Sequence, residues 1–128
     1  MQLPTATREN LADALDALIG AGGSARLQNA AQTATYATCN LDTPAFGDAA
    51  TGVITLAGTP TDSSAAVGTV ERLGFYDAVT GGALVMSMSV NDTGTPDIDI
   101  SNNSLQNGDQ IEITAAGLTV TVPAGTFP

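Results

Sequence analysis

Between Thr69 and Val90 the chain alternates apolar and polar positions more regularly than anywhere else. Val85 to Val90 sets Met86, Met88 and Val90 on one side and Val85, Ser87 and Ser89 on the other. That period of two belongs to a strand with one buried face. The preceding run places Leu73 and Phe75 on one face and Arg72 and Tyr76 on the other, and Thr80-Gly81-Gly82 reads as the turn between them. The spacing predicts a β-hairpin at the centre of the fold.

Thr7 to Ile19 has a helical period instead. On a wheel of about 100° per residue, Leu15, Leu18 and Ile19 fall within about 80° of Leu11, with Ala14 beside them, and Glu9, Asp13 and Asp16 fall opposite. Thr5 or Thr7 is placed to cap the start, Glu9 to complement the positive end of the dipole, and Gly20 to end the helix. A helix this short is not stable alone, so its apolar stripe must pack on the sheet, on a symmetry mate or on another protein.

Further strands follow the same reasoning. Ala25 to Ala30 is a weak candidate and Ala34 to Leu41 a better one, broken by Thr43-Pro44. Phe46, alone in a Gly/Ala/Asp-rich stretch, reads as a loop anchor. Gly52 to Ala57 alternates with Ile54 and Leu56 on one face, and Thr61 to Gly68 reads as an exposed loop. Asp97 to Ser101 sets Ile98 and Ile100 inward, and Asn102 to Asp109 reads as a loop or tight connection with an Asn107-Gly108 turn. Ile111 and Ile113 mark another strand, Ala116-Gly117 a turn, and Leu118, Val120 and Val122 a last strand stopped by Pro123. Phe127 is the tail's candidate anchor.

About seven or eight short strands separated by turn signals predict a mainly β fold. The expected architecture is an antiparallel β-sandwich, jelly-roll-like or immunoglobulin-like, with one N-terminal amphipathic α-helix. Residues 1–24 would form the arm and helix, and 25–128 the sandwich, of a single domain.

Composition narrows what such a scaffold can do. Only 12% of residues are charged, and thirteen acids oppose Arg8, Arg26 and Arg72, for a formal charge of −10. Three scattered cations cannot displace counterions from nucleic acid or hold an anionic membrane surface. No run of about twenty apolar residues exists to span a bilayer, and the first residues lack a basic stretch leading into an apolar one, so no signal peptide is expected. A cytosolic origin is the expectation. Cys39 is the one cysteine, so no intrachain disulfide or thiolate metal cluster can form. Its strand-like setting suits a small buried hydrophobe.

Histidine and lysine are absent, and with them the usual general base, zinc ligand, Schiff-base amine and phosphate-loop lysine. The expectation is no catalytic residue, no metal site and no cofactor. Carboxylates remain. Asp97 and Asp99 would share one strand face about 7 Å apart, with Asp92 nearby. A solvated strand face is the plain reading, and a Ca²⁺ site or a paired-carboxylate site the sharper ones. Arg72 beside Glu71, on the face that carries Tyr76, suits either an ion pair or stack within the sheet or a contact to a partner subunit.

The N-terminal LPTATRENLADALDALIGAGG, the segment DTPAFGDAATGVITLAGTP, then GTVERLGFYDAVTGGALV and the closing GLTVTVPAG resemble a family of small structural proteins of tailed-phage virions. The resemblance covers most of the chain and contains no catalytic signature. It implies a virion component, foremost a capsid decoration (cement) protein seated on the major capsid protein as a homo-oligomer, often a trimer. In that setting Leu3, Leu11, Leu15 and Leu18 are expected to make docking or oligomer contacts, with Arg72 and Tyr76 as the second candidate surface. Two other classes stay open: a tail, head–tail connector or tail-fibre component, and a Ca²⁺-dependent carbohydrate-binding or hydrolytic β-sandwich.

Overall fold

In a computed structural model, the described residues are 2–91, 93–94, 96–99, 102–113 and 118–121. The expectations placed on Asp92, Ile100, Ser101, Ala116-Gly117, Val122, Pro123 and Phe127 lie outside them.

The fold is mainly β with one N-terminal helix. Helix α1 (Thr5–Ile19) is followed by β1 (Ser24–Gln28), β2 (Thr35–Asn40), β3 (Val53–Thr55), β4 (Thr61–Asp62), β5 (Gly68–Thr69) and β6 (Arg72–Tyr76). Then come β7 (Leu84–Asn91), β8 (Ile98–Asp99), β9 (Ser104–Leu105), β10 (Ile111–Glu112) and β11 (Thr119–Thr121). Eleven strands stand among the described residues where about seven or eight were expected, because several stretches that read as loops contain two-residue pairings.

One sheet dominates, in the order β2-β1-β6-β7-β8. Two local hairpins, β1–β2 and β6–β7, lie side by side through the antiparallel β1–β6 pairing, and only the last pair, β7–β8, is parallel. The register makes two apolar rows across the inner face. One runs Cys39, Ala25, Phe75, Met86 and the other Ala37, Leu27, Leu73, Met88. The expected central hairpin is therefore present, with the expected residues inward.

The stretch that looked weakest is β1, which pairs on both edges. It read as weak because Leu27 is its one large apolar residue. Its small Ala25 is fully buried, and its polar residues are satisfied on the outer face, as shown below.

Three two-stranded pieces complete the described structure: β10–β4, β11–β3 and β5–β9, all antiparallel. The exposed-loop reading of 61–68 is thereby corrected, and the 102–109 connection keeps its turn at Asn107-Gly108 but also pairs through β9. In 61–68, Ala65 is 1% exposed, and its carbonyl accepts the Gly108 N–H while Ala66 N–H donates to the Tyr36 carbonyl. In 102–109, Leu105 is buried. Pairings of only two residues are too short to show a period, and in 61–68 the buried residue is a small alanine.

Phe46 anchors its loop as expected: it is buried, and its ring meets Phe75 at 5.5 Å between centroids, tilted 55°. Its centroid spacing lies in the range favoured for aromatic pairs, and the tilt avoids a face-to-face sandwich. It ties the 42–51 loop to the centre of the inner row.

Candidate functional site

The helix is turned differently from its wheel. Pro4, not a threonine, stands at the N-cap, with no side-chain cap, and Gly20 (φ 64°) closes the C-terminus as expected. Ala12 and Ile19 are buried, Leu15 is half-buried, and Leu11 and Leu18 are 46% and 64% exposed. α1 packs against β3 and β7.

The reason lies on the acidic side. Phe46 N–H donates to Asp16 Oδ1, Ala49 N–H to Asp13 Oδ1 and Thr51 N–H to Glu9 Oε1, each at 2.9 Å. The carboxylates expected to face solvent form a ladder along one helix side, and a loop of small residues supplies the donors. Charge-assisted bonds of this kind are stronger than neutral ones. Together they rotate the leucine stripe outward. Glu9 therefore serves the loop and not the helix dipole.

The ladder ends on a strained turn. Ala50 and Val53 exchange two backbone hydrogen bonds of 2.9 Å around Thr51 (φ 51°) and Gly52 (φ 79°). A β-branched residue at positive φ is unfavourable. Helix residues hold it from both sides, since Glu9 accepts the Thr51 N–H and Arg8 Nη1 donates to the Thr51 carbonyl at 3.0 Å.

The second candidate surface, around Arg72 and Tyr76, is largely closed. Tyr76 is 9% exposed, and its hydroxyl lies 2.9 Å from Gln28 Nε2, which donates to it. The Arg26 guanidinium stacks on the Tyr76 ring, 3.9 Å from its centroid. Arg26 also donates to the carbonyls of Ala78, Val79 and Gly81, fixing the β6–β7 turn. Gly74 makes room for this cluster: a Cβ there would stand 2.8 Å from both Gln28 Oε1 and the Tyr76 ring. Tyr76 thus serves inside the sheet, with little of its surface left exposed. Arg72 is half-buried and makes no ion pair among the described residues, while Glu71 accepts the Ala30 N–H. Leu3 is half-buried in the arm before the helix.

Arg26 was missed by the sequence reading. Its signal was scarcity: with three cations in the chain, each has many carbonyls to serve.

Cys39 is fully buried, and burial first, then the nearby Asp62 carboxylate, pushes its thiol up to about 11. It is a core residue with little thiolate character. Burial alone would raise the Asp62 carboxyl. Hydrogen bonds from the Thr38 N–H, the Ser64 N–H and the Ser64 hydroxyl outweigh it and hold the group below its ordinary value.

Asp97 accepts the Ser89 N–H at 2.9 Å and returns its own N–H to Ser89 Oγ at 2.8 Å, so it laces β7 to the start of β8. Among the described residues no group of three or more His, Cys, Asp or Glu is gathered as a metal would need.

Beside β7 lies a half-open groove of about 1090 Å³. Leu15, Met86, Met88, Ile111, Leu118 and Val120 are among its apolar lining residues, and Asp97 and Glu112 among its polar ones. No helix is long and apolar enough to cross a membrane among the described residues. No family model matches this chain, and neither a curated protein nor a solved structure matches it.

Proposed function

We propose that this chain is a non-enzymatic virion structural protein, a capsid decoration protein that binds the outer surface of a major capsid protein as a homo-oligomer, with a trimer favoured. The observation that carries the reading is the outward stripe of Leu11 and Leu18 on a helix whose acidic side is occupied by its own loop. A helix that spends its carboxylates inward and its leucines outward suits a protein held against a neighbour. The low charged fraction of 12% and the likeness of the N-terminal and central segments to tailed-phage structural proteins support the same reading. The finer architecture we read is a β-sandwich, with its second layer drawn from the small two-stranded pairs β3–β11 and β4–β10.

Imaging virions with and without the protein tests this. Density at capsid symmetry axes, lost when the gene is deleted, is the expected result. Density in the tail or connector would overturn the decoration reading. Leu18→Asp should abolish attachment or oligomer formation while the melting temperature stays within about 2 °C, as for an exposed site. Unchanged attachment by that variant would remove the helix stripe from the contact.

A further inference from the structure

The groove beside β7 adjoins a strand edge that the described strands pair only in part. Val90 N–H donates to the Glu71 carbonyl at 3.0 Å, so at this position the β7 backbone faces β6. One residue earlier, Ser89 N–H faces the other way and donates to Asp97. Backbone polar groups alternate sides along a strand, so Ser87 also presents its N–H and carbonyl to the outer edge. β8 covers only Val90 and Asn91. Over Leu84 to Ser89 no strand pairs with that edge among the described residues.

An unpaired edge is a template for an added strand. Here the inward side chains beneath it, Met86 and Met88, already line a groove of mixed apolar and polar surface. An incoming strand would continue the two inner rows, sending alternate side chains into the groove beside residues that adapt readily in shape.

Charge says what kind of strand. Asp97 and Glu112 are exposed at the groove. A second copy of this chain cannot answer them with an edge strand. It has no lysine; Arg8 and Arg26 are engaged with backbone carbonyls, and Arg72 lies on β6, whose two edges are paired. We propose that the β7 edge and its groove accept an extended, alternately apolar segment with flanking Lys or Arg from a different protein, as an added β-strand. This does not depend on the virion reading.

The probe is a short synthetic peptide alternating Val and Thr with Lys at both ends, beside a twin with Glu ends, measured by fluorescence anisotropy on the full chain. The Lys peptide should bind about tenfold or more tighter at low salt, and the gap should shrink as salt rises. The Ser87 amide should exchange freely in the unbound chain and become protected on binding. Ser87→Pro removes only an outward N–H, which edge strands tolerate, and should cost at least about tenfold in affinity. If that variant does not fold, Glu112→Gln at an exposed position should still weaken the Lys peptide several-fold. A Ser87 amide already protected in the free chain would overturn the proposal, since the chain or its copy then covers the edge. Equal binding of the two peptides, or affinity unchanged in Ser87→Pro or in Glu112→Gln, would overturn it too.

Discussion

β6 and β7 are the two strands of one hairpin, yet they live in different surroundings. β6 is paired on both edges, and Leu73, Gly74, Phe75 and Tyr76 are all buried. β7 is longer and half-buried along most of its length, and among the described residues one of its edges is paired only at its end. The same alternation of apolar and polar residues therefore has two outcomes. On β6, both faces are covered: Phe46 meets Phe75 inside, and the Arg26–Tyr76–Gln28 cluster closes the outside. On β7 the apolar face opens into a groove. A strand enclosed on all sides holds the fold, and a strand left half open is available for contact.

The difference should be largest for apolar truncation along one row of the sheet. Phe75 and Met86 are cross-strand partners, but only Phe75 is fully buried. Phe75→Ala should cost about 4 kcal/mol by denaturant unfolding, since a large cavity opens against Phe46. Met86→Ala should cost about 1 kcal/mol, since part of its surface already meets solvent. Equal losses would mean that the groove is filled in solution, and the contrast between the strands would collapse.

Cys39 stands at the far, closed end of the same row. Its thiol is pushed up to about 11, whereas an unfolded chain ionises it near about 8.5. The folded state then keeps a proton that the unfolded state has lost. Its contribution to stability is complete below the unfolded value and is lost as pH rises toward about 11. With about 1.4 kcal/mol per pH unit, the loss is on the order of 3 kcal/mol. Unfolding midpoints of wild type and Cys39→Ala measured from pH 8 upward should converge by that amount. A thiol reagent should label Cys39 only on the unfolding time scale, and rapid labelling at neutral pH would show that this end is open.

Much of the sheet was legible because large apolar residues mark its inner rows: Leu73, Phe75, Met86 and Met88 alternate where the hairpin lies, and Phe46 marked its loop. What escaped was carried by small or polar residues. β1 hid behind Ala25, and β4, β5 and β9 are too short to show a period. The helix was legible as a helix, but its orientation was not. A wheel ranks residues by hydrophobicity, whereas Glu9, Asp13 and Asp16 found backbone donors in a loop some thirty to forty residues away in sequence, and those bonds decided which side faces inward. Tyr76 was assigned to the polar side correctly, but that side turned out to be enclosed by the turn that Arg26 holds.

The polar side of the hairpin offers the finest version of the contrast. Tyr76→Phe removes a hydroxyl that both accepts from Gln28 Nε2 and lies 3.1 Å from Gln28 Oε1, in a buried setting. Gln28 keeps other partners, since its amide donates to Thr35 Oγ1 and its carbonyl oxygen accepts from Gln32 Nε2. The cost should therefore be near that of one neutral hydrogen bond, about 1 kcal/mol. Ser89→Ala removes the acceptor of the Asp97 N–H on β7, where the group is exposed and water replaces it. That change should stay within about 0.5 kcal/mol. Chemical denaturation of the two variants side by side measures the pair. A Ser89→Ala loss as large as that of Tyr76→Phe would mean that the outer face of β7 is as dry as that of β6, and that the open strand is covered in the protein as it stands in solution.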